Sequence, residues 1–442
     1  MKIVFIHYHL KTGGVTTCLK HQVQALKNDC DVCVITGELS QSIFPAKTIH
    51  IPELAYTADY PGHFQPEDVA ASLAHAIESH FNGPCDIAHV HNPLLAKNKK
   101  FLKILTALQK RGVSLFLQIH DFAEDGRPGA YFAEDYPADC HYGVVNSRDY
   151  RILLKSGLKK QGLHRLPNPV YLSDNPPATT QMGADVVYPI RAIRRKNIGE
   201  AILLSLFFRD EETLVITLPP NSPADIESYQ DWKAFVSRHQ MRIEFDRGLA
   251  HPYEDIVASA RYLLTTSITE GFGFSFLEPW LFNKWVCGRK LADICMDFEA
   301  SGVRLDHMYA ALHVPVAWFE REQFFKRWKR AIGDVAGRFN VVISNERIQN
   351  AFSSLIADGT VDFGLLDEQS QKQVLGRLLA RKAHSASLVS LNPFLARIGT
   401  GADQQDLIEA NRSAVTRGYG MAKYRQKLLS IYAQVDRTPI RQ

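Results

Sequence analysis

No apolar run in the chain approaches the roughly 18 residues that a membrane-spanning helix needs; its long apolar stretches are of the order of Ala201 to Phe208. Met1 leads directly into a strand-like run, so no secretion signal is expected. Cysteine is scarce: seven residues, an odd number scattered from Cys18 to Cys295, make no disulfide framework and point to a reducing, cytoplasmic setting. Charge of one sign is also lacking. The 51 basic and 47 acidic residues leave a formal net charge of +4, far short of the footprint of a nucleic-acid-binding protein but compatible with an anionic small-molecule substrate. There is no tandem repeat and no low-complexity tract. What is present, 442 residues with 45% apolar and 22% charged, describes a globular chain too long for one core, and two domains are expected.

A Gly-x-Gly-x-x-Gly fingerprint is missing from the first turn, which argues against a nicotinamide-dependent dehydrogenase. Two short motifs are set aside. Cys30-x-x-Cys33 has the spacing of a redox pair, but Cys33 lies within a strand-like run rather than at a helix start that would acidify a thiol. Asp29-x-Asp31 resembles an acidic metal triplet, yet it falls in the turn between the first helix and the second strand.

Lys2 to Tyr8 is β-branched and aromatic, Thr12-Gly13-Gly14 closes it, and Val15 to Lys27 carries helical spacing. The pattern recurs: strands at Val32 to Thr36, Asp86 to Val90, Ser114 to Ile119, Gly143 to Val145 and Leu163 to Leu166, with helices at Pro66 to Phe81, Lys97 to Arg111 and Ser147 to Gly157. Such alternation predicts a parallel sheet covered on both faces. Pro167 to Gly183 has linker composition and marks a hinge. A second alternation follows, with strands at Asp185 to Tyr188, Leu214 to Leu218, Met241 to Phe245 and Tyr262 to Thr266, and helices at Asp225 to His239 and Tyr253 to Ala260. After about residue 300 the chain reads as helical, with stretches near Arg321 to Phe339, Asn345 to Ile356, Glu368 to Lys382 and Arg417 to Val435. The expected division is 1–170, 171–420 with a helical extension, and a last segment, 421–442, that returns to the first domain.

Chemistry concentrates where strands end. After Tyr262 to Thr266 comes Thr269-Glu270-Gly271-Phe272-Gly273-Phe274-Ser275-Phe276-Leu277-Glu278. Glycines let backbone amides approach a ligand, and Ser275 is suited to cap a helix whose positive end faces an anion, with Glu278 about one turn inside it. Arg191 and Lys196 follow the first strand of the second half, where cations would stabilise charge developing on a departing diphosphate. Gly13 and Gly14 offer close backbone approach in the first half. His120, in Gln118-Ile119-His120-Asp121, is expected at the carboxyl edge of the first sheet, pointing into the crevice. His89 and His91 are weaker candidates of the same kind. No ligand spacing suggests a bound metal. Lys97 to Arg111 sets Phe101, Leu102, Ile104, Leu105 and Leu108 against lysines, a pattern of peripheral membrane contact that packing on the sheet also explains.

In order and spacing these residues resemble glycosyltransferase family 4, retaining enzymes of the GT-B fold. The resemblance rests on Gly13-Gly14, Asp86-Ile87-Ala88-His89-Val90-His91, His120-Asp121, Leu166-Pro167-Asn168-Pro169-Val170, Arg191 with Lys196, and Glu270 with Glu278, and covers about residues 1–290. It implies an α/β fold of two Rossmann-like doubly wound domains facing across a crevice. It also implies hexose transfer from a nucleotide-sugar donor to a small-molecule, glycan or lipid-linked acceptor, with no cofactor and no metal. By the resemblance Glu278 binds the donor ribose, Glu270 the transferred sugar, and the amides around Gly271, Phe272, Gly273 and Phe274 the phosphates or sugar. Arg191 and Lys196 hold the diphosphate, His120 faces the donor sugar, and Gly14 lines the phosphate or acceptor side. The chain departs from the family after Glu278, where Pro279 to Cys287 replaces small residues and a Gly-x-Pro-Val-Val turn; Asn283 is suited to the left-handed cap that glycine supplies there. From Gly288-Arg289-Lys290 onward no family pattern carries over. A nucleotide-sugar epimerase of the same fold and a non-catalytic nucleotide-sugar-binding protein are the alternatives.

Overall fold

The computed structural model describes residues 1–39, 43–60, 62–122, 128–171, 183–401 and 404–435. The chain divides into two compact units, one of residues 1–171 with 416–442 and one of residues 172–415. Most of the Pro167 to Gly183 hinge, and the end of the 421–442 segment after Val435, lie outside the described residues.

The first unit is built on seven parallel strands, β1 (Lys2–His7), β2 (Asp31–Thr36), β3 (Lys47–His50), β4 (Ile87–His91), β5 (Leu115–Ile119), β6 (His141–Val144) and β7 (Leu163–Arg165). They lie in the order β3-β2-β1-β4-β5-β6-β7. Because β1 pairs with both β2 and β4, the segments leaving β1 and β4 turn to opposite faces and open a crevice at their carboxyl ends. Side-chain alternation sorts the two faces. Val4 and Ile6 join one core with the helices Pro66–Phe81 and Phe101–Lys110, while Ile3 and Phe5 join another with Gly14–Leu26 and the last helix, Met421–Val435. Phe101, Leu102, Ile104, Leu105 and Leu108 are all buried in the first of these cores, so the apolar face of that basic helix is spent on packing.

The second unit repeats the plan with β8 (Asp185–Arg191), β9 (Thr213–Leu218), β10 (Ile243–Phe245), β11 (Tyr262–Thr265) and β12 (Val286–Gly288), ordered β10-β9-β8-β11-β12 and parallel throughout. Here the switch point lies between β8 and β11. The α/β class with a helical extension is therefore as expected. Among the described residues no helix is long and apolar enough to cross a membrane.

Several local expectations need correction. Strand β3 and the antiparallel pair β13 (His313–Pro315) with β14 (Thr360–Asp362) are too short to show a period. The last stretch is two helices, Gln405–Tyr419 and Met421–Val435, interrupted at Gly420, and the helix from Glu368 ends at Ala380. Ser275 caps nothing. It lies inside the single turn Phe274–Phe276, and Glu278 begins the four-residue helix Glu278–Leu281 rather than sitting a turn within one. Pro279 is the cause: without an N–H it cannot bond back to Ser275, so a new helix starts at Glu278 with the proline in its first turn.

A cap fixes the helix after β6. Asn146 Oδ1 accepts from the Asp149 N–H at 2.7 Å at the start of Ser147–Lys155. Asn146→Ala is expected to lower the stability of the first unit by about 1 kcal/mol, read as a shifted denaturation midpoint at unchanged slope.

Candidate active site

In the second unit β8 ends at Arg191 and a tight turn, Arg194–Lys196, leads into Asn197, whose φ of 51° is left-handed. The neighbouring strand ends hold this turn from below. The Lys196 carbonyl accepts from the Tyr188 hydroxyl at 2.7 Å and the Thr266 hydroxyl at 3.2 Å, and the Asn197 carbonyl accepts from Thr266 at 3.1 Å. The Ile268 N–H donates to the Arg195 carbonyl at 2.9 Å. Adjacent parallel strands thus fix the backbone that carries the lysine, directly over the switch point.

Lys196 Nζ forms an ion pair with Glu270, the two side chains being only 15% and 6% exposed. Burial pushes the Glu270 carboxyl upward, but Lys196, Arg195 and hydrogen bonds from Lys196 and Ser267 outweigh it and hold the group below the ordinary carboxylate range. Glu270 is therefore ionised at neutral pH. Arg191, half-buried at the start of the same loop, donates from Nη1 to the Pro219 carbonyl at 2.9 Å.

Of the two glycines in the loop after β11, one takes up a left-handed backbone. Gly273 has φ of 96°, and a Cβ there would come within 2.8 Å of the Phe276 ring. Phe272 is buried with its ring against Phe274 and Phe298 at 5.0 and 5.6 Å between centroids. Glu278 accepts a 2.7 Å hydrogen bond from the Tyr253 hydroxyl, and burial raises its carboxyl above the usual range against that bond. Asn283 closes the short helix with φ of 54°, the left-handed cap the sequence called for.

In the first unit Gly13 and Gly14 are exposed after β1, and a Cβ at Gly13 would meet nothing within 4 Å, so internal packing does not demand glycine there. His120 follows β5 and is buried; its backbone N–H donates to Asn92 Oδ1 at 2.7 Å. Its Nε2 lies 2.9 Å from His91 Nδ1, and the two rings are stacked. His91 stacks in turn on His89, whose Nδ1 lies 2.7 Å from the Tyr432 hydroxyl and whose Nε2 lies 2.8 Å from Gln118 Oε1. Gln22 donates to Gln118 Oε1 at 2.7 Å and to the Tyr424 hydroxyl at 2.6 Å. Alternation explains the line: Phe5, Ile87 and Phe116 face the last helix, so His89, His91 and Gln118, two residues on, share that face. Burial lowers His120 to about 4 against the pull of Asp121, and His89 to about 3, so both rings are neutral at pH 7.

The structure thus brings Lys196 and Glu270 into contact from two loops and sets Arg191 at the start of the loop that carries Lys196, while Glu278 pairs with Tyr253. Gly13, Gly14 and His120 lie at the carboxyl ends of the first sheet. Sequence reasoning missed Tyr188, Thr266, Asn197, Asn92 and the line behind His120; a polar residue in the last position of an apolar strand, or an Asn after a cationic turn, is the signal that would have found them. Among the described residues no group of three or more histidine, cysteine or acidic side chains converges as a metal site.

No family model matches the chain. It is 26% identical over 343 residues to the mannosylglucosyl-3-phosphoglycerate synthase of Petrotoga mobilis, a match covering 67% of this chain and 66% of that protein, just under two thirds of the relative's length. In structure it is similar to Anabaena Alr3699/HepE, solved in complex with UDP and glucose, with a TM-score of 0.56 and 12% identity over 97% of this chain and 98% of that one. It is also similar to sucrose-phosphate synthase from Thermosynechococcus elongatus, with a TM-score of 0.57 and 13% identity over 98% of both chains. The architecture common to these chains is the GT-B fold.

Proposed function

We propose that this GT-B chain is a retaining glycosyltransferase that moves a hexose from a nucleotide-sugar donor onto an acceptor hydroxyl. The observation that carries this reading is the cationic turn over the switch point of the second unit, with Lys196 against the ionised Glu270 and Arg191 on the same loop. A lysine there is suited to the β-phosphate of a nucleoside diphosphate, and a carboxylate beside it to the hydroxyls of the attached sugar. The UDP-containing structure of the Anabaena protein, on the same fold, makes a UDP-sugar the first donor to try. The Petrotoga relative's name specifies a 3-phosphoglycerate bearing sugars, so a small acidic glycoside is the first acceptor to try.

In this reading the bond between the anomeric carbon and the β-phosphate oxygen loosens toward an oxocarbenium-like state while the acceptor oxygen bonds to the same face. The departing phosphate oxygen takes the acceptor's proton. Arg191 and Lys196 stabilise the charge that appears on the diphosphate, Glu270 orients the sugar, and Glu278 binds the ribose. For the first unit the proposal is confined to its own groups: His120, whose neutral ring can hydrogen-bond a sugar hydroxyl but not stabilise charge, and the exposed backbone at Gly13 and Gly14.

A thermal-shift panel of UDP-, GDP-, ADP- and dTDP-sugars, without added metal, tests the donor site on wild type and Glu278→Ala. One nucleotide family is expected to stabilise the wild type, and the variant to bind it at least tenfold more weakly, the worth of a charge-assisted hydrogen bond. Equal affinity in the variant would remove the ribose role. NMR of the product tests the stereochemistry, and an inverted anomeric centre would sink the front-face mechanism.

A further inference from the structure

The segment from Arg289 to Gln371, for which the family resemblance offers no role, converges on the turn that carries Lys196. Asn197 uses both ends of its amide. Its Oδ1 accepts from Gln371 Nε2 at 2.8 Å, and its Nδ2 donates to Glu200 Oε2 at 2.9 Å. Glu200 is fully buried and receives Arg289 through Nε at 2.8 Å and Nη2 at 2.6 Å, together with the Tyr309 hydroxyl at 2.7 Å. The other edge of the guanidinium is held by Asp362 at 2.7 and 2.6 Å, and Gln371 also donates to the Phe363 carbonyl at 3.0 Å.

Stability alone does not account for such a cluster, since well-packed apolar side chains replace buried ion pairs at little or no loss. Geometry does. Asparagine adopts the left-handed region more readily than most non-glycine residues, and here the side chain of Asn197 is also pinned at both ends while Tyr188 and Thr266 hold the carbonyl just before it. With the peptide after Lys196 fixed on two sides, the direction in which the lysine leaves the backbone is fixed too.

We propose that Asn197, Glu200, Arg289, Asp362 and Gln371 are positioning residues that aim Lys196 at the donor diphosphate, and that this is what the chain beyond residue 289 contributes to the site. The inference rests on the role of Lys196 in the proposed function and adds the residues that set its aim.

The test is a double-mutant cycle with Lys196→Ala. Asn197→Gly keeps the left-handed backbone but deletes both amide bonds, and Gln371→Leu keeps the buried volume while releasing Asn197. Each is expected to fold with a melting transition as cooperative as wild type, to lower kcat about tenfold with KM changed less than about threefold, and to have no further effect in the Lys196→Ala background. The same cycle is read without turnover from the affinities of UDP, GDP and ADP by titration calorimetry. There the tightest of the three is expected to weaken in either variant only when Lys196 is present. Unchanged kcat and affinity in both variants, or equal losses with and without Lys196, would overturn the inference while leaving the proposed function standing. A wild type that neither turns over a nucleotide sugar nor binds any of the three diphosphates would overturn both.

Discussion

Lys196→Ala is expected to lower turnover by about 10²- to 10³-fold, the loss seen when one preorganised donor to a developing anion is removed. The effect should fall on kcat more than on donor KM, because the contact strengthens as the diphosphate acquires charge. The substitution has a second consequence that must be separated from the first. Glu270 is only 6% exposed on its side chain and loses its ion-pair partner, and breaking a buried pair from one side costs about 3–5 kcal/mol. Burial then acts on Glu270 with less opposition, so its carboxyl moves up toward a protonated state. The double variant Lys196→Ala/Glu270→Gln removes that unpaired charge. It is expected to recover stability but not turnover, whereas Lys196→Arg retains the charge and recovers part of the rate. Steady-state kinetics beside a denaturation curve on each variant make the check. An unchanged kcat in Lys196→Ala would mean that the lysine serves only to neutralise Glu270.

Mild acid is expected to unfold the first unit. Burial lowers His7 and His89 to about 3 and His120 and His164 to about 4, and His91 well below its ordinary value. The sign follows from proton counting. Above about pH 6.5 neither the folded nor the unfolded histidines carry protons and nothing changes; between pH 6.5 and 4 the unfolded chain binds protons that the folded one refuses, and stability falls as pH falls. Each such histidine costs up to about 1.4 kcal/mol per pH unit in this window, so the five together cost up to about 7 kcal/mol per unit, against the 5–15 kcal/mol that holds a typical domain together. Melting followed by circular dichroism at half-unit steps from pH 7.5 to 4 should show a steep loss that begins near pH 6.5. Carboxylates held low, Glu270 among them, enter only below about pH 4.5 and so do not imitate it. His89→Gln is expected to flatten the slope, and a melting temperature level from pH 6.5 to 4.5 would show that these rings take up protons in the folded state.

The parts of the site that were legible in the sequence are those whose chemistry is announced by residue type at the end of a strand. Arg191, Lys196 and Glu270 stand out as candidates in the sequence because cations and a carboxylate interrupt apolar runs where a parallel sheet places its ligands. Glu278 stands out by its type, but its place in the helix does not follow from the sequence rule that a serine caps and a helix follows, because Pro279 makes the helix begin at Glu278. His89 and His91 looked like weak ligand candidates. They are a buried line between His120 and Tyr432, which follows His89 by 343 positions and carries no local sign of the partnership. Gln371 and Asn197, separated by 174 positions, were equally invisible.

By itself the sequence determined the alternation of strands and helices, the two-domain α/β plan and the chemical kinds of group available at the strand ends, because periodicity and side-chain type are local properties that need no partner to be expressed. Only the tertiary structure decided which strand pairs with which, which face of β4 carries its histidines, that Lys196 meets Glu270, and that the residues from Arg289 to Gln371 close around Asn197. Burial and long-range hydrogen bonds fix those choices, and with them the protonation states of the histidines and carboxylates, since a side chain's dielectric surroundings and partners exist only after distant segments have packed against it.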